Sequence, residues 1–242
     1  MTRQIFTQEL QRLLDELLAM GSQVGSALDQ AVESLVKRDF EKSRLVIAED
    51  WHINARYYDI EQGCVNLIAT QQPMAVDLRM LTSMISVSAE LERIADYGKG
   101  IAKINLLIGE EPLMKRLVDI PTMAKNAQWM LHRSLVAFSR KDVDLAREVP
   151  LEDDAIDELY QQVYRELITH MLENPQYINQ ANYLLWVAHN LERAADRCTN
   201  ICQRVVYMVT GQIVNLEKSA ELANSLVAFE AIEPIQTMNY AS

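Results

Sequence analysis

The chain has 242 residues, of which 49% are hydrophobic and 24% charged, so it can bury the core of a globular protein. Its net charge of −11 argues against nucleic acid as a partner, and no uncharged apolar run is long enough for insertion into a membrane. Only seven glycines and six prolines leave few breaks, which favours long helices over a β-rich fold.

Six helices are predicted in chain order from apolar residues at helical spacing. Asp39 is placed to cap the second helix, Pro150 should kink or interrupt the fifth, and Gly211 should end the sixth. Gly109, Pro112 and Pro121 bracket a linker between the third and fourth helices. The predicted helices cover about residues 4–36, 40–69, 75–107, 122–139, 143–173 and 178–209.

The two halves of the chain are near-copies. Leu91-Glu92-Arg93-Ile94-Ala95-Asp96 recurs as Leu191-Glu192-Arg193-Ala194-Ala195-Asp196, and Asp39, Arg44, Glu49, Asp50 and Ile53 recur as Asp142, Arg147, Glu152, Asp153 and Ile156. Short turns within each half make neighbouring helices antiparallel. The sequence therefore predicts an all-α fold of two tandem antiparallel three-helix bundles, residues 1–109 and 115–215. Residues 216–242 match neither half and form a C-terminal extension of unknown role.

Acidic residues of each half are predicted to meet across its last turn. Residues equally far from the turn between two antiparallel helices lie level, and residues four apart share a helix face. Both turns have a proline at or beside their midpoint, Pro73 and Pro175. The level pairs are Asp157 with Glu192 and Asp153 with Asp196 in the second half, and Asn54 with Glu92 and Asp50 with Asp96 in the first.

Level carboxylates repel each other and lose hydration unless protons, arginines or cations compensate. Helical-bundle proteins bind hard or borderline metal ions through Asp and Glu side chains on facing helices. Ion pairing is the competing interpretation, because Arg79, Arg93, Arg193 and Arg197 are near in sequence. The pattern leaves both open.

Two histidines are lesser candidates for the same sites. His189 precedes Glu192 by three residues and shares its face, and His52 follows Glu49 by three. A single histidine at such a place is more often packed or hydrogen-bonded than a ligand.

The sequence contains no catalytic or phosphate-binding motif typical of a soluble enzyme of this size. It has no glycine-rich phosphate loop and no serine or cysteine nucleophile motif. A carboxylate-bridged oxidase of the ferritin-like type would need two Glu-x-x-His pairs, and only Glu49–His52 has that spacing. A non-enzymatic protein is predicted, with that metalloenzyme and a metal-free helical scaffold as alternatives.

Cysteine usage and the N-terminal residues predict a cytoplasmic protein. Cys64, Cys198 and Cys202 make no even-numbered disulfide framework and are expected to be reduced thiols. The first residues contain no apolar segment typical of a secretory signal.

The sequence resembles the PhoU family of phosphate-signalling proteins. The resemblance covers about residues 5–215 and includes the Gly211 that ends the last helix. It is carried by Gln71-Gln72-Pro73, by Asp77-Leu78-Arg79 and by the two copies of the Leu-Glu-Arg-x-Ala-Asp motif that begin at Leu91 and Leu191.

The resemblance implies a cytoplasmic homodimer that negatively regulates phosphate uptake and phosphate-starvation signalling. Its implied partners are the ATPase subunit of the phosphate ABC transporter and the phosphate-sensing histidine kinase. Some family members hold metal clusters on Glu/Asp-x-x-x-Asp motifs, which implies divalent or trivalent ions here, iron first, then zinc, manganese or magnesium. The matching positions are Asp153 with Asp157, Glu192 with Asp196, Glu92 with Asp96, and Asp50 with Asn54. The amide of Asn54 departs from the motif and weakens the first-half site.

Overall fold

The computed structural model describes residues 3–216, and all of their regular secondary structure is helical. The predicted all-α fold is therefore confirmed, while the predicted extension, residues 216–242, lies outside the described residues except for Leu216. The helices are α1 (Arg3–Lys37), α2 (Phe40–Gln71), α3 (Val76–Ile108), α4 (Asp119–Arg140), α5 (Val143–Glu148), α6 (Asp153–Glu173) and α7 (Ile178–Thr210). Short 3₁₀ turns occupy Val149–Glu152 and Pro175–Tyr177.

The same turn follows the first helix of each half. Arg38 and Lys141 adopt left-handed backbone conformations with φ of 57° and 56°. The next residues, Asp39 and Asp142, donate their backbone N–H groups to Ser34 and Ala137, which closes each preceding helix in a Schellman motif. The Asp39 carboxylate accepts the N–H of Lys42 at 2.9 Å, and the Asp142 carboxylate accepts the corresponding N–H at 3.0 Å, so each aspartate caps the following helix.

Two prolines set helix boundaries, Pro150 as the sequence predicts and Pro121 differently. Pro150 divides the predicted fifth helix into α5, a 3₁₀ turn and α6, as its missing N–H requires. The predicted linker ends early, because α4 begins at Asp119 and includes Pro121 in its first turn. Proline is tolerated there because the first N–H groups of a helix have no intrahelical partner.

The two halves of the chain lie side by side. Within the first half α1, α2 and α3 pack on one another, and within the second half α4, α5, α6 and α7 do so. Between the halves α3 packs along α7 and α1 packs on α4. Buried apolar residues from both halves form one continuous core, from Leu13 to Leu216. The outer helices α2 and α6 are left with a large solvent-facing surface.

Helices α3 and α7 run antiparallel along the junction. Arg79 Nε of α3 donates to the carbonyl oxygen of Met208 at 3.2 Å, near the end of α7. Further along α3, Glu90 Oε2 accepts from Arg197 Nη1 at 3.3 Å and from Asn200 Nδ2 at 3.4 Å. No helix among residues 3–216 is both long and apolar enough to cross a membrane.

Candidate metal centre

The α6–α7 turn brings the predicted carboxylates of the second half together. Burial, and then the negative charge of neighbouring carboxylates, raises the pKa of Asp153 to about 7. The neighbours that raise this pKa most are Asp157, Asp196 and Glu192, in that order. All four residues are thus close enough to repel one another, as the mirror positions about the turn predict.

The remaining carboxylates of the second-half cluster (Asp153, Asp157, Glu192 and Asp196) share this behaviour. Burial, Asp196 and Asp157 raise the pKa of Glu192 to about 7, although Arg193 and Arg197 act in the opposite direction. Burial is also the largest cause that raises the pKa values of Asp157 and Asp196. The cluster therefore holds more negative charge than its environment neutralises.

Two carboxylate oxygens of this cluster are buried without a hydrogen bond. They are Asp153 Oδ1 and Glu192 Oε2. His189 Nδ1 lies 3.3 Å from Glu192 Oε2, a contact whose orientation makes no hydrogen bond. Buried polar atoms are almost always paired in folded proteins, so these oxygens are free to accept from a cation or a water molecule.

Arginine pairing accounts for little of the second-half cluster. Arg193 Nε is 3.9 Å from Asp196 Oδ2, too long for a hydrogen bond. Arg197 is directed to Glu90, and Arg79 to the backbone of Met208. The competing interpretation of the sequence, that arginines neutralise these acids, therefore holds only weakly in this half.

Glu49 and Glu152, the acidic neighbours of Asp50 and Asp153 in sequence, make other contacts. Glu152 pairs with Arg133 of α4. Glu49 lines a groove of about 860 Å³ between α1 and α2, together with Arg12, Asp59 and His52. The His52 ring lies 3.7 Å from the Trp51 ring, centroid to centroid. The groove has mixed charges, and Arg56 Nη1 binds Glu16 Oε2 across it at 2.9 Å.

The first half arranges its acids around a lysine. Lys99 Nζ lies 2.6 Å from Asp50 Oδ2 and 3.7 Å from Asp96 Oδ1. Asn54 Nδ2 donates to the same Asp50 oxygen at 3.0 Å. Burial is the largest cause that raises the pKa of Glu92, followed by the charges of Asp96 and Asp50. The four predicted first-half residues are thus together, with an ammonium group among them.

Lys99 is the site residue that the sequence reasoning missed. It follows Asp96 by three residues on the same helix face, which is ion-pair spacing. The corresponding position in the second copy is Thr199, whose hydroxyl is buried without a partner. Comparison of the two repeats at this position was the signal that could have found it.

The second-half donors fit a hard or borderline metal ion. Carboxylate oxygens, with a histidine beside them, are the groups that iron, manganese and zinc bind. Within residues 3–216, no three histidine, cysteine, aspartate or glutamate side chains are yet arranged to hold an ion. To hold one, the side chains of the second-half cluster would have to move from these positions: Asp153, Asp157, Glu192 and Asp196.

Comparisons with known proteins agree with this fold and with its duplication. The family model described as the PhoU domain matches the chain twice, at residues 17–104 and 120–205. A PhoU homolog of the phosphate-specific transport system from Aquifex aeolicus is 37% identical over 86% of this chain and 94% of its own length. The accessory protein PhoU of Escherichia coli K12 is 33% identical over 86% of each chain.

Solved structures place the chain in the same group. The crystal structure of PhoU from Pseudomonas aeruginosa superposes with a TM-score of 0.82 at 33% identity, covering 86% of this chain and all of that one. The fold and the repeated carboxylate motif define a tandem helical-bundle protein of the PhoU type. This chain belongs to the PhoU family, as its sequence motifs indicated.

Proposed function

We propose that this chain is an accessory regulator of a phosphate-specific transport system, acting in the cytoplasm without catalysing a reaction. The observation that supports it most is similarity over 86% of the chain to relatives named phosphate-specific transport system accessory protein PhoU. In this role it is an adaptor between the transporter ATPase and the phosphate-sensing histidine kinase, and it represses phosphate-starvation genes when phosphate is plentiful.

Exposed aromatic side chains of the second half support an adaptor. Trp129 of α4 and Trp186 of α7 are 57% and 63% exposed. Large aromatic side chains are the residues that most often anchor protein interfaces, while the negative net charge steers encounter. Such side chains are costly to leave in water unless a partner covers them.

The experiment is a deletion of the gene in its own host with a reporter for phosphate-uptake genes. We expect the reporter to rise in phosphate-rich medium, and the intact gene supplied in trans to restore repression. Affinity capture of the untagged chain from phosphate-replete cells should recover the ATPase and the kinase. Normal repression in the deletion strain would contradict the adaptor role.

We further propose that the second-half cluster binds metal, iron first and zinc, manganese or magnesium otherwise. The uncompensated repulsion and the two unpaired oxygens support this, because a cation relieves both. A bound ion would serve structure or docking in this role. Elemental analysis of protein purified without a histidine tag or chelator tests it, and absence of metal from protein reconstituted with each ion would contradict it.

A further inference from the structure

The two carboxylate clusters occupy corresponding helix positions in the two repeats but differ in three residues. Asn54 and Lys99 of the first half are replaced by Asp157 and Thr199 in the second, and Ala89 is replaced by His189. The first half thus has three carboxylates, an amide and an ammonium group. The second half has four carboxylates and a histidine in the corresponding places.

The most buried carboxylate of the first-half cluster, Asp50, is satisfied by the chain itself. The Asp50 side chain is only 6% exposed, and its Oδ2 atom accepts from Lys99 Nζ at 2.6 Å and from Asn54 Nδ2 at 3.0 Å. The bond to Asp50 joins α3 to α2, and the same ammonium lies 3.7 Å from Asp96 Oδ1 on its own helix. A buried carboxylate with a charged donor and an amide donor needs no further cation.

The second-half cluster lacks this internal compensation. Asp153 Oδ1 and Glu192 Oε2 are buried without a hydrogen bond, and Arg193 stays 3.9 Å from Asp196. Thr199, in the place of Lys99, is 1% exposed and carries no charge. The same fold therefore holds one cluster with an ammonium group hydrogen-bonded to its buried aspartate and one cluster without such a group.

We propose that the Lys99 ammonium is the built-in cation of the first half, so that this chain takes metal ions only in its second half. A divalent ion entering the first half would meet a positive charge already bound to Asp50 and Asp96, and an amide N–H directed at the oxygen it needs. The predicted ligands Asp50, Asn54, Glu92 and Asp96 then serve helix pairing. The statement about the second half rests on the proposed metal binding, whereas the assignment of Lys99 does not.

The test transfers the second-half pattern to the first. In a chain whose second-half cluster is disabled by Glu192→Gln and Asp196→Asn, the exchange Asn54→Asp with Lys99→Thr should create a metal site. Mn²⁺ is the probe, and the loss of the free-ion signal in electron paramagnetic resonance measures binding. We call the chain with Glu192→Gln and Asp196→Asn the disabled chain, and the chain that also carries Asn54→Asp and Lys99→Thr the exchanged chain. We expect the disabled chain to bind Mn²⁺ at least tenfold more weakly than the exchanged chain. Asn54→Asp with Lys99→Arg is the matched control, and it should not gain the site because it keeps the positive charge.

Stability gives a second readout that needs no metal. In the presence of chelator, Lys99→Met should lower the melting temperature by several degrees, because it leaves Asp50 buried without its charged partner. Thr199→Val, the corresponding change in the second half, should not, because the Thr199 hydroxyl has no hydrogen bond to lose. This comparison also decides the matter if the exchanged chain does not fold.

Three results would overturn the proposal. One is Mn²⁺ binding by the disabled chain as tight as by the intact chain, since the first half would then hold metal with Lys99 present. The second is a folded exchanged chain, by circular dichroism, that gains no Mn²⁺. The third is an unchanged melting temperature for Lys99→Met. Failure of the second-half proposal looks different, because then the intact chain binds no Mn²⁺ while Lys99→Met still loses stability.

Discussion

Asp153 and Glu192 couple the stability of the chain to pH. Their pKa values rise from ordinary values of 3.8 and 4.5 to about 7, burial being the largest cause. Between those values the folded chain binds more protons than the unfolded chain, so the free energy of unfolding falls as pH rises through this window. We expect the chelator-treated protein to lose several degrees of melting temperature between about pH 5 and about pH 8.

The double variant Asp153→Asn/Glu192→Gln isolates this effect from the net charge of the rest of the molecule. Its melting temperature should depend less steeply on pH than that of the unchanged chain, measured by circular dichroism in parallel. Parallel slopes would contradict the prediction. In the unchanged chain, bound Mn²⁺ should reduce the fall in melting temperature as pH rises, because carboxylates must be ionised to bind a metal.

Asn105 is a buried polar residue that joins the three helices of the first half. Its Nδ2 atom donates to the Ser34 carbonyl oxygen at 3.0 Å and to Ser43 Oγ at 2.8 Å, and its Oδ1 accepts from Arg38. The two serine hydroxyls are 2.8 Å apart. Asn105, Ser34 and Ser43 are fully enclosed, so they depend on one another and on Arg38 for hydrogen bonds.

The second half fills the same space with apolar residues, and this difference gives a prediction. The positions of Ser34, Ser43 and Asn105 correspond to Ala137, Ala146 and Val205, all buried. Asn105→Val alone should cost about 2–4 kcal/mol, because it leaves buried donors and acceptors unpaired. The triple exchange to the second-half residues should cost less than Asn105→Val alone, as measured by urea unfolding. Additive losses would show that the network is not a unit.

Helix α1 approaches α4 through two glycines that differ in the space around them. A Cβ atom built on Gly25 would lie 3.7 Å from Leu131 Cδ2, an ordinary contact. A Cβ atom on Gly21 would lie 2.3 Å from Leu135 Cδ1, which would have to move. Gly21 therefore sets how closely these two helices, and with them the two halves, can pack.

Substitution of each glycine by alanine tests this contact. Gly25→Ala should stabilise the chain by about 0.5–1 kcal/mol, because glycine in a helix loses more backbone entropy on folding. Gly21→Ala should give a protein about 1–2 kcal/mol less stable than Gly25→Ala, because it overpacks the contact with Leu135. Each serves as the control for the other in urea unfolding, and equal stability would contradict the assigned role of Gly21.

For the molecule as a whole, the exposed side of α2 predicts a homodimer. Trp51, Tyr58 and Val65 recur every seven residues and form one apolar stripe, with exposed fractions of 61%, 63% and 47%. Two copies of such a stripe can cover each other about a twofold axis, the commonest symmetry of oligomers. Light scattering at micromolar concentration should therefore give twice the chain mass of 27.7 kDa.

Variants identify the surface as well as the oligomeric state. Trp51→Ser with Tyr58→Ser should yield a folded monomer, because it removes two aromatic side chains from the centre of the stripe. Trp129→Ser on α4, where the side chain is 57% exposed, is the matched control and should leave the dimer intact. A monomeric unchanged chain would rule the homodimer out.

The sequence by itself determined the helices, the duplication and the meeting of the acidic residues. Apolar spacing and the capping aspartates define helices locally, and the mirror positions about each turn follow from antiparallel geometry alone. Pro150 likewise acts on its own backbone, so the interruption of the fifth helix was predictable. Pro121 was misjudged because a proline is compatible with either a linker or the first turn of a helix.

Only the tertiary structure decided which charges pair and how the halves fit together. The Lys99 ammonium reaches Asp50 because α2 and α3 lie at one particular separation and rotation, whereas Arg197, equally near the acids in sequence, turns to Glu90 across the α3–α7 junction. Long side chains can reach several partners, and the backbone around them selects one. The packing of α3 on α7 and of α1 on α4 arises from contacts between residues far apart in the chain, which no local pattern encodes.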